Sequence, residues 1–229
     1  MEEKANGIVL GGVNVAENDK ILSVFTVEQG TVSAKIKGVK KAGAKLKFAS
    51  EPFCFAEFIF LDKNGFKTVI NASLIDSFYP IREDIRKFYA GSVVLEFIKK
   101  FAKENIVSHD LFFCAVDALK EIAYGENYAF ATVRFLISAL SLAGYGLNFF
   151  AKITDKAYFD YRTGAFFPSP EGKAREIKTE TFFALKSAYA NEKTEEGLIG
   201  ALKLLEYYLE KKPEEKLSSL KELIALSGK

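Results

Sequence analysis

The spacing of apolar residues changes at Tyr79-Pro80, and this change divides the chain into two different parts. Before it, short runs rich in β-branched and aromatic residues are separated by turn-forming sequences. The runs are GIVLGGVNV, KILSVFTV, TVSAKIKG, PFCFAEFIFL and FKTVINASLI. Several short strands separated by turn sequences are typical of a small all-β domain, and five are typical of a closed barrel such as an OB-fold. We therefore predict an OB-fold over residues 1–79.

The second part, residues 80–229, shows the three- and four-residue spacing of amphipathic helices. A first long helix is predicted from IREDIRKFYAGSVVLEFIKKFAKE, with Pro80 in its first turn. Five more helical patterns follow, with Thr179 and Thr194 as predicted N-caps of the fourth and fifth helices. Strand-like alternation over about residues 147–175 interrupts the helices. The predicted fold class is α+β: a five-stranded barrel, then a helical domain with a small inserted β-hairpin.

The composition favours a folded protein that does not cross a membrane. Hydrophobic residues make up 49% of the chain, which is enough for a substantial core. The longest apolar stretch contains Arg134 and ends at Gly144, before about twenty apolar residues accumulate. No secretory signal is evident at the start of the chain. We therefore expect a cytoplasmic protein with Cys54 and Cys114 reduced.

The sequence contains no group of residues typical of an enzyme. Its one histidine, His109, lies near a predicted helix start without a neighbouring cysteine or paired carboxylate. Cys54 and Cys114 lie in apolar surroundings typical of buried thiols. No phosphate-binding or dinucleotide-binding glycine loop is present. We therefore expect a protein that is not an enzyme and holds no cofactor, although a catalytic site assembled from dispersed residues remains an alternative.

Residues 33–48, SAKIKGVKKAGAKLKF, form a lysine segment that contains no carboxylate. Because the whole chain has a net charge of only +2, its positive charge is concentrated here. Strand alternation places the first two lysines on an outer sheet face. The others follow in a Gly- and Ala-containing stretch that we expect to be flexible enough to follow a phosphate backbone. The predicted nucleic-acid-binding residues are Lys35, Lys37, Lys40, Lys41, Lys45 and Lys47.

Three phenylalanines near this segment are candidates for stacking on nucleic-acid bases. Phe48, Phe53 and Phe66 could each stack on a base if the ring is exposed. The alternative is that the lysines form a solubilising loop and the rings belong to the core. A second alternative for the whole chain is a protein-interaction scaffold that binds no nucleic acid.

Short motifs recur in a definite order along both halves of the chain. The first half carries the acidic turn Glu17–Asp19, Phe25-Thr26 with Gly30, Lys37-Gly38-Val39-Lys40-Lys41 and Pro52-Phe53, and the second half carries Arg134-Phe135 and Gly144-Tyr145. The order of these motifs resembles the RecO family of bacterial recombination mediators. The resemblance implies recombinational DNA repair in the RecF pathway, by a cytoplasmic protein that is associated with the nucleoid when bound to DNA. It further implies binding of single- and double-stranded DNA, strand annealing, and loading of RecA with the help of RecR on DNA coated by single-stranded-DNA-binding protein.

The resemblance also implies a pocket in the helical domain for the acidic, apolar C-terminal tail of single-stranded-DNA-binding protein. We assign Arg134 and Phe135 to this pocket, although Arg134 could instead pair with an internal carboxylate. Many family members carry a four-cysteine zinc site in the inserted module, but no cysteine occurs around residues 153–156 or 168–171. We therefore predict no metal. The aromatic residues expected to hold the module instead are Tyr158, Phe159, Tyr161, Phe166 and Phe167.

Overall fold

The computed structural model describes residues 1–228 and confirms the predicted fold class, a closed five-stranded barrel followed by helices. The strands are β1 Glu2–Asn14, β2 Lys20–Thr26, β3 Gly30–Ile36, β4 Phe55–Lys63 and β5 Phe66–Asp76. Around the barrel their order is β1-β2-β3-β5-β4, and β4 pairs with β1 to close it. Only the pairing of β3 with β5 is parallel.

The barrel core is built from alternate residues of each strand. In β3, Val32, Ala34 and Ile36 are buried, while Ser33 between them is exposed, as the sequence alternation predicts. Phe58 and Phe60 of β4 are also buried, with ring centroids 5.7 Å apart. Burying one such side chain stabilises the fold by about 1.5–3 kcal/mol. The inward residues therefore fix which side of β3 carries its polar side chains.

The first helix begins later than the sequence predicts. Pro80 lies in a short 3-10 turn, Tyr79–Arg82, and α1 spans Ile85–Phe101. The side chain of Asp84 accepts a hydrogen bond from the backbone nitrogen of Arg86 at 2.8 Å. An aspartate in this position satisfies a helix's unpaired N–H groups. The N-cap is therefore Asp84, and Pro80 does not occupy the first turn of the helix.

Among the described residues, five further helices follow α1. They are α2 His109–Tyr124, α3 Tyr128–Leu142, α4 Thr179–Tyr189, α5 Leu198–Lys211 and α6 Ser218–Ser227. The chain folds as two compact units, one formed by residues 1–82 with 95–113 and the other by residues 83–94 with those from Cys114 onward. Within residues 1–228, no helix combines the length and the apolarity needed to cross a bilayer.

Two of the predicted N-caps are wrong. The hydroxyl of Thr179 donates to the backbone oxygen of Asp155 at 2.5 Å and makes no capping bond to α4. The residue before α5 is Gly197, in the left-handed conformation with φ 73°, so Thr194 lies outside the helix. A Cβ atom on Gly197 would lie 2.2 Å from the backbone oxygen of Glu180. Close approach of α5 to the start of α4 therefore requires glycine at this position.

The inserted module contains the predicted hairpin and one additional strand. Its strands are β6 Ala157–Asp160, β7 Ala165–Phe167 and β8 Arg175–Ile177, in the order β7-β6-β8. The guanidinium of Arg162 donates two hydrogen bonds to the carboxylate of Asp160, at 3.0 and 2.6 Å. These bonds hold the pKa of Asp160 below its usual value. The β6–β7 turn is therefore fixed by an ionised aspartate.

Aromatic packing connects this module to α4 and α5. The ring of Phe166 lies 5.1 Å from that of Phe182, and Phe159 lies 5.7 Å from Tyr208. Residues 1–228 contain no group of three or more His, Cys, Asp or Glu side chains that could hold a metal ion. Phe159, Tyr161 and Phe166 thus pack on α4 and α5 as expected, while the packing of Tyr158 and Phe167 on the helices and the absence of zinc stay predictions.

Candidate nucleic-acid interface

Lys35 lies on the outer face of β3 and is partly neutralised by an aspartate. Its ammonium lies 2.9 Å from a carboxylate oxygen of Asp19, in the loop between β1 and β2. The other carboxylate oxygen of Asp19 accepts a hydrogen bond from the backbone nitrogen of Gly38 at 2.9 Å. The Gly38 bond, and then Lys35, hold the pKa of Asp19 below its usual value. Asp19 thus anchors the start of the lysine segment.

The lysine segment is folded, in contrast to the flexible stretch expected from the sequence. Successive turns run through it, with hydrogen bonds from the backbone nitrogen of Lys41 to Gly38 and from that of Ala44 to Lys41. Gly38 and Gly43 adopt left-handed φ angles of 64° and 76°. Val39 is buried in the barrel core, and Leu46 packs against it. The lysines are therefore displayed on a support with apolar anchors.

The remaining lysines of the segment are exposed and form no ion pair within the described residues. The sequence pattern placed Lys37 on the same strand as Lys35. In the structure β3 ends at Ile36, so Lys37 lies one residue beyond the strand. No carboxylate in the described part of the chain lies within 4.0 Å of their ammonium groups. The exposed lysines are Lys37, Lys40, Lys41, Lys45 and Lys47. This arrangement concentrates positive charge on one short stretch of the surface.

The three candidate stacking residues have different environments. Phe48 is half-buried and packs against the barrel core. Phe53 is buried in a left-handed conformation with φ 69°, and the guanidinium of Arg82 lies 5.5 Å from its ring centroid. Phe66 is 81% exposed at the start of β5. Of these three rings, Phe66 alone has the exposure that base stacking requires.

Arg134 and Phe135, the residues assigned to a partner tail, both line a cavity of about 340 Å³ in the second compact unit, which is called the helical unit below. Arg134 lies 2.5 Å from a carboxylate oxygen of Glu121 and donates to the side chain of Asn191 at 2.9 Å. Phe135 is 2% exposed. The charge of Arg134 is thus compensated within the fold, as the alternative interpretation of this residue expects, while the cavity keeps a cation beside an apolar wall.

A larger cavity, of about 700 Å³, lies elsewhere in the helical unit. Its walls include Phe159 and Tyr161 of the inserted module and Leu204 and Tyr207 of α5. The sequence did not reveal this cavity, because Phe159 and Tyr161 were predicted only as packing groups of the module. The sequence signal that could have indicated it is the three-residue spacing of Leu204 and Tyr207, which places both on the same face of a helix.

Comparisons with known proteins match both parts of the chain. The family description "Recombination protein O N terminal" matches residues 1–78, and "Recombination protein O C terminal" matches residues 82–221. A protein named DNA repair protein RecO from an Exiguobacterium species is 28% identical over 171 residues, which cover 72% of this chain and 69% of that protein. The protein of the same name from Acetivibrio thermocellus is 26% identical over 165 residues, covering 69% and 66% respectively.

A third protein named DNA repair protein RecO, from Desulforamulus reducens, is 30% identical over 124 residues, covering 54% of this chain and 48% of the relative. The aligned segments therefore span between about half and two thirds of the length of these curated relatives.

Proposed function

Because the chain belongs to the RecO family, we propose that it acts in recombinational DNA repair by binding DNA and not by catalysis. The observation that carries this proposal is the lysine segment, where exposed ammonium groups without carboxylate partners stand on a folded support at the end of β3. OB-fold barrels bind nucleic acids with their outer strand faces and adjoining loops. The name of the similar proteins, DNA repair protein RecO, agrees with this role.

Binding through lysines favours phosphate groups over particular bases. Each contacted phosphate releases condensed counterions, which gives affinity without sequence preference. The same surface therefore suits both single- and double-stranded DNA. Neutralising the phosphates of two complementary strands also lowers their mutual repulsion, and this is the physical basis that we propose for strand annealing.

We further propose that the protein works with RecR and helps to load RecA on DNA coated by single-stranded-DNA-binding protein, as membership of the family implies. The tail of that protein is acidic and apolar, so it needs a cation beside an apolar wall. The cavity beside Arg134 and Phe135 offers both, although the tail must compete with Glu121 for the guanidinium. Titration with a tail peptide tests this assignment, and equal affinity of the wild type and an Arg134→Gln variant would overturn it.

The DNA-binding proposal is tested with two charge-reversal variants that lower the net charge equally. The first replaces four exposed lysines of the segment with glutamate, at Lys37, Lys40, Lys41 and Lys45. Lys35 is left unchanged because its ion pair with Asp19 anchors the segment. The control replaces four exposed lysines outside the segment, at Lys120, Lys173, Lys193 and Lys216.

Fluorescence anisotropy with a labelled oligonucleotide at several salt concentrations gives both the affinity and its salt dependence. The segment variant should lose most of its affinity, and its log-log salt slope should fall by up to about 3, because each lost phosphate contact removes roughly 0.7. The control variant should bind nearly as well as the wild type. Equal losses in both variants would refute a localised site. No binding by the wild type at low salt would favour the protein-interaction scaffold.

A further inference from the structure

We infer that Phe66 is a stacking platform for an unpaired base, and that it gives the barrel a preference for single-stranded DNA. This inference rests on the proposed DNA binding and adds to it a residue that recognises bases and not phosphates. A single exposed phenylalanine is ordinary on protein surfaces. The position, support and surroundings of Phe66 are therefore what carry the inference.

Phe66 lies at the loop between β4 and β5, one of the two loops with which OB-folds bind oligonucleotides. Its ring is 81% exposed, whereas the other two candidate rings are buried or half-buried. Every base has a flat face, so stacking on a ring tolerates any sequence. An exposed aromatic residue at this loop therefore fits a protein that binds single strands without sequence preference.

The hairpin that carries Phe66 is held in one conformation. Asn64 and Gly65 both have positive φ angles, 54° and 82°, as in the two-residue turn that best matches strand twist. The carboxylate of Asp62 accepts a hydrogen bond from the backbone nitrogen of Gly65 at 2.9 Å. The backbone of Asp62 also exchanges two hydrogen bonds with Met1, each 2.9 Å long. The ring is thus presented on a rigid support, and little ordering is needed on binding.

The register of the barrel places Phe66 on the same outer face as the start of the lysine segment. Lys67 pairs with Ala34, and Thr68 pairs with Lys35. Because Ala34 points into the core and side chains alternate along a strand, Phe66 shares the outer face with Ser33 and Lys35. The ammonium of Lys67, the next residue along β5, forms ion pairs with Glu3 and Asp62.

A continuous path leads from the ring to the exposed lysines. The pairing of β3 with β5 begins at Ala34 and Lys67, and continuing this register by one residue places Phe66 beside Ser33. From Ser33 the chain runs to Lys37 over about 13 Å at the usual rise per residue of a strand. At about 3.4 Å per phosphate of a stacked strand this path spans about four nucleotides, the lower end of OB-fold site sizes. Lys63, the cross-strand partner of Phe66, is exposed as well. The ring is therefore flanked by cations that can hold the neighbouring phosphates.

Base stacking distinguishes single strands from duplexes. In a duplex the bases already stack on one another, and a protein ring gains access only after a base is unstacked at a cost of a few kcal/mol. Removal of the Phe66 ring should therefore weaken the binding of single strands and leave duplex binding unchanged. Removal of lysines should weaken both.

The test compares the wild type with F66A and F66L, and uses F150A as a control because Phe150 is 93% exposed in the other compact unit. Three probes are titrated: a single-stranded oligonucleotide, an abasic strand with the same number of phosphates, and a duplex. F66A and F66L should bind the single strand about 5- to 150-fold more weakly, because both lose the ring. Their affinities for the abasic strand and the duplex, and their salt slopes, should match those of the wild type.

The F66W variant gives a direct signal, because the chain contains no tryptophan. It should bind the single strand at least as tightly as the wild type, and its indole fluorescence should be quenched by that strand but not by the abasic one. Unchanged single-strand affinity in F66A would overturn the inference while leaving the lysine site intact. Loss of all three probes in the lysine-segment variant, together with a selective loss in F66A, would support both proposals. Absence of wild-type binding to every probe would refute the proposed function itself.

Discussion

Replacing Phe166 with alanine should show that ring packing stabilises the inserted module. Phe166 is 3% exposed in β7 and lies at the centre of an aromatic cluster. Its ring centroid is 4.8 Å from that of Phe159, 5.1 Å from Phe182 and 5.2 Å from Phe149. These rings come from β6, from α4 and from the segment before β6, so the substitution removes a contact shared by three parts of the unit.

The expected loss is large. Phenylalanine-to-alanine substitutions in a core lower the free energy of unfolding by about 3–5 kcal/mol, because the cavity left behind closes only in part. The three ring contacts place Phe166 toward the upper part of this range, since aromatic pairs contribute about 0.5–1.5 kcal/mol beyond burial. The matched control is F150A, which removes a ring that is 93% exposed. Its effect should stay within about 0.5 kcal/mol.

Thiol labelling at increasing urea concentrations measures the unfolding of the two compact units separately. Burial raises the pKa of Cys54 to about 12 and that of Cys114 to about 11, so both thiols react slowly in the folded protein. Cys54 belongs to the first unit and Cys114 to the second. In F166A, labelling of Cys114 should begin at a lower urea concentration, while labelling of Cys54 should change less.

Two results would refute this reasoning. One is an F166A midpoint for Cys114 equal to that of F150A, which would mean that the cluster contributes little. The other is a fall in the wild-type midpoint on addition of a chelator, or one zinc per chain by metal analysis. Either metal result would show that a bound ion stabilises the module.

Two further substitutions test local features of the helical unit. Arg162 holds the pKa of Asp160 low, so the ionised carboxylate stabilises the fold above about pH 4, and this stabilisation is lost as the pH falls through the lowered pKa. The urea midpoint of the wild type should therefore drop more than that of D160N between about pH 6 and about pH 3. Parallel pH dependences of the two midpoints would contradict this. G197A should lower the melting temperature more than G43A. Both glycines have left-handed φ angles, but an added Cβ at Gly197 would lie 2.2 Å from a backbone oxygen, whereas an added Cβ at Gly43 would meet nothing within 4 Å.

The strands of the barrel could be predicted from the sequence because local alternation and turn residues determine them. The inward positions of β3 follow from period-two burial alone. Helix starts were less predictable. Thr194 has the chemistry of an N-cap, yet α5 begins only after Gly197, where contact with the backbone of Glu180 decides the geometry. Such a contact joins residues distant in sequence, and no local pattern contains it.

The folded state of the lysine segment was also hidden from the sequence. Its glycines and lysines are typical of a flexible loop, and Val39 is a single apolar residue among them. The burial of Val39 depends on the barrel, and the bond from Gly38 to Asp19 joins residues nineteen positions apart. The difference between Phe53 and Phe66 likewise depends on backbone conformation and register, so composition showed only that aromatic residues were available.

A folded lysine segment and a rigid Phe66 hairpin give the proposed DNA site two components that respond differently to salt. Attraction between ammonium groups and phosphates weakens steeply as counterions become more concentrated, because their release then gains less entropy. Stacking of a base on a ring depends on dispersion and desolvation, and added salt affects it far less. Charge therefore sets the overall affinity for any DNA, and the ring sets the choice between single strand and duplex. Since the two components lie on separate residues of one outer face, substitutions can change either one alone.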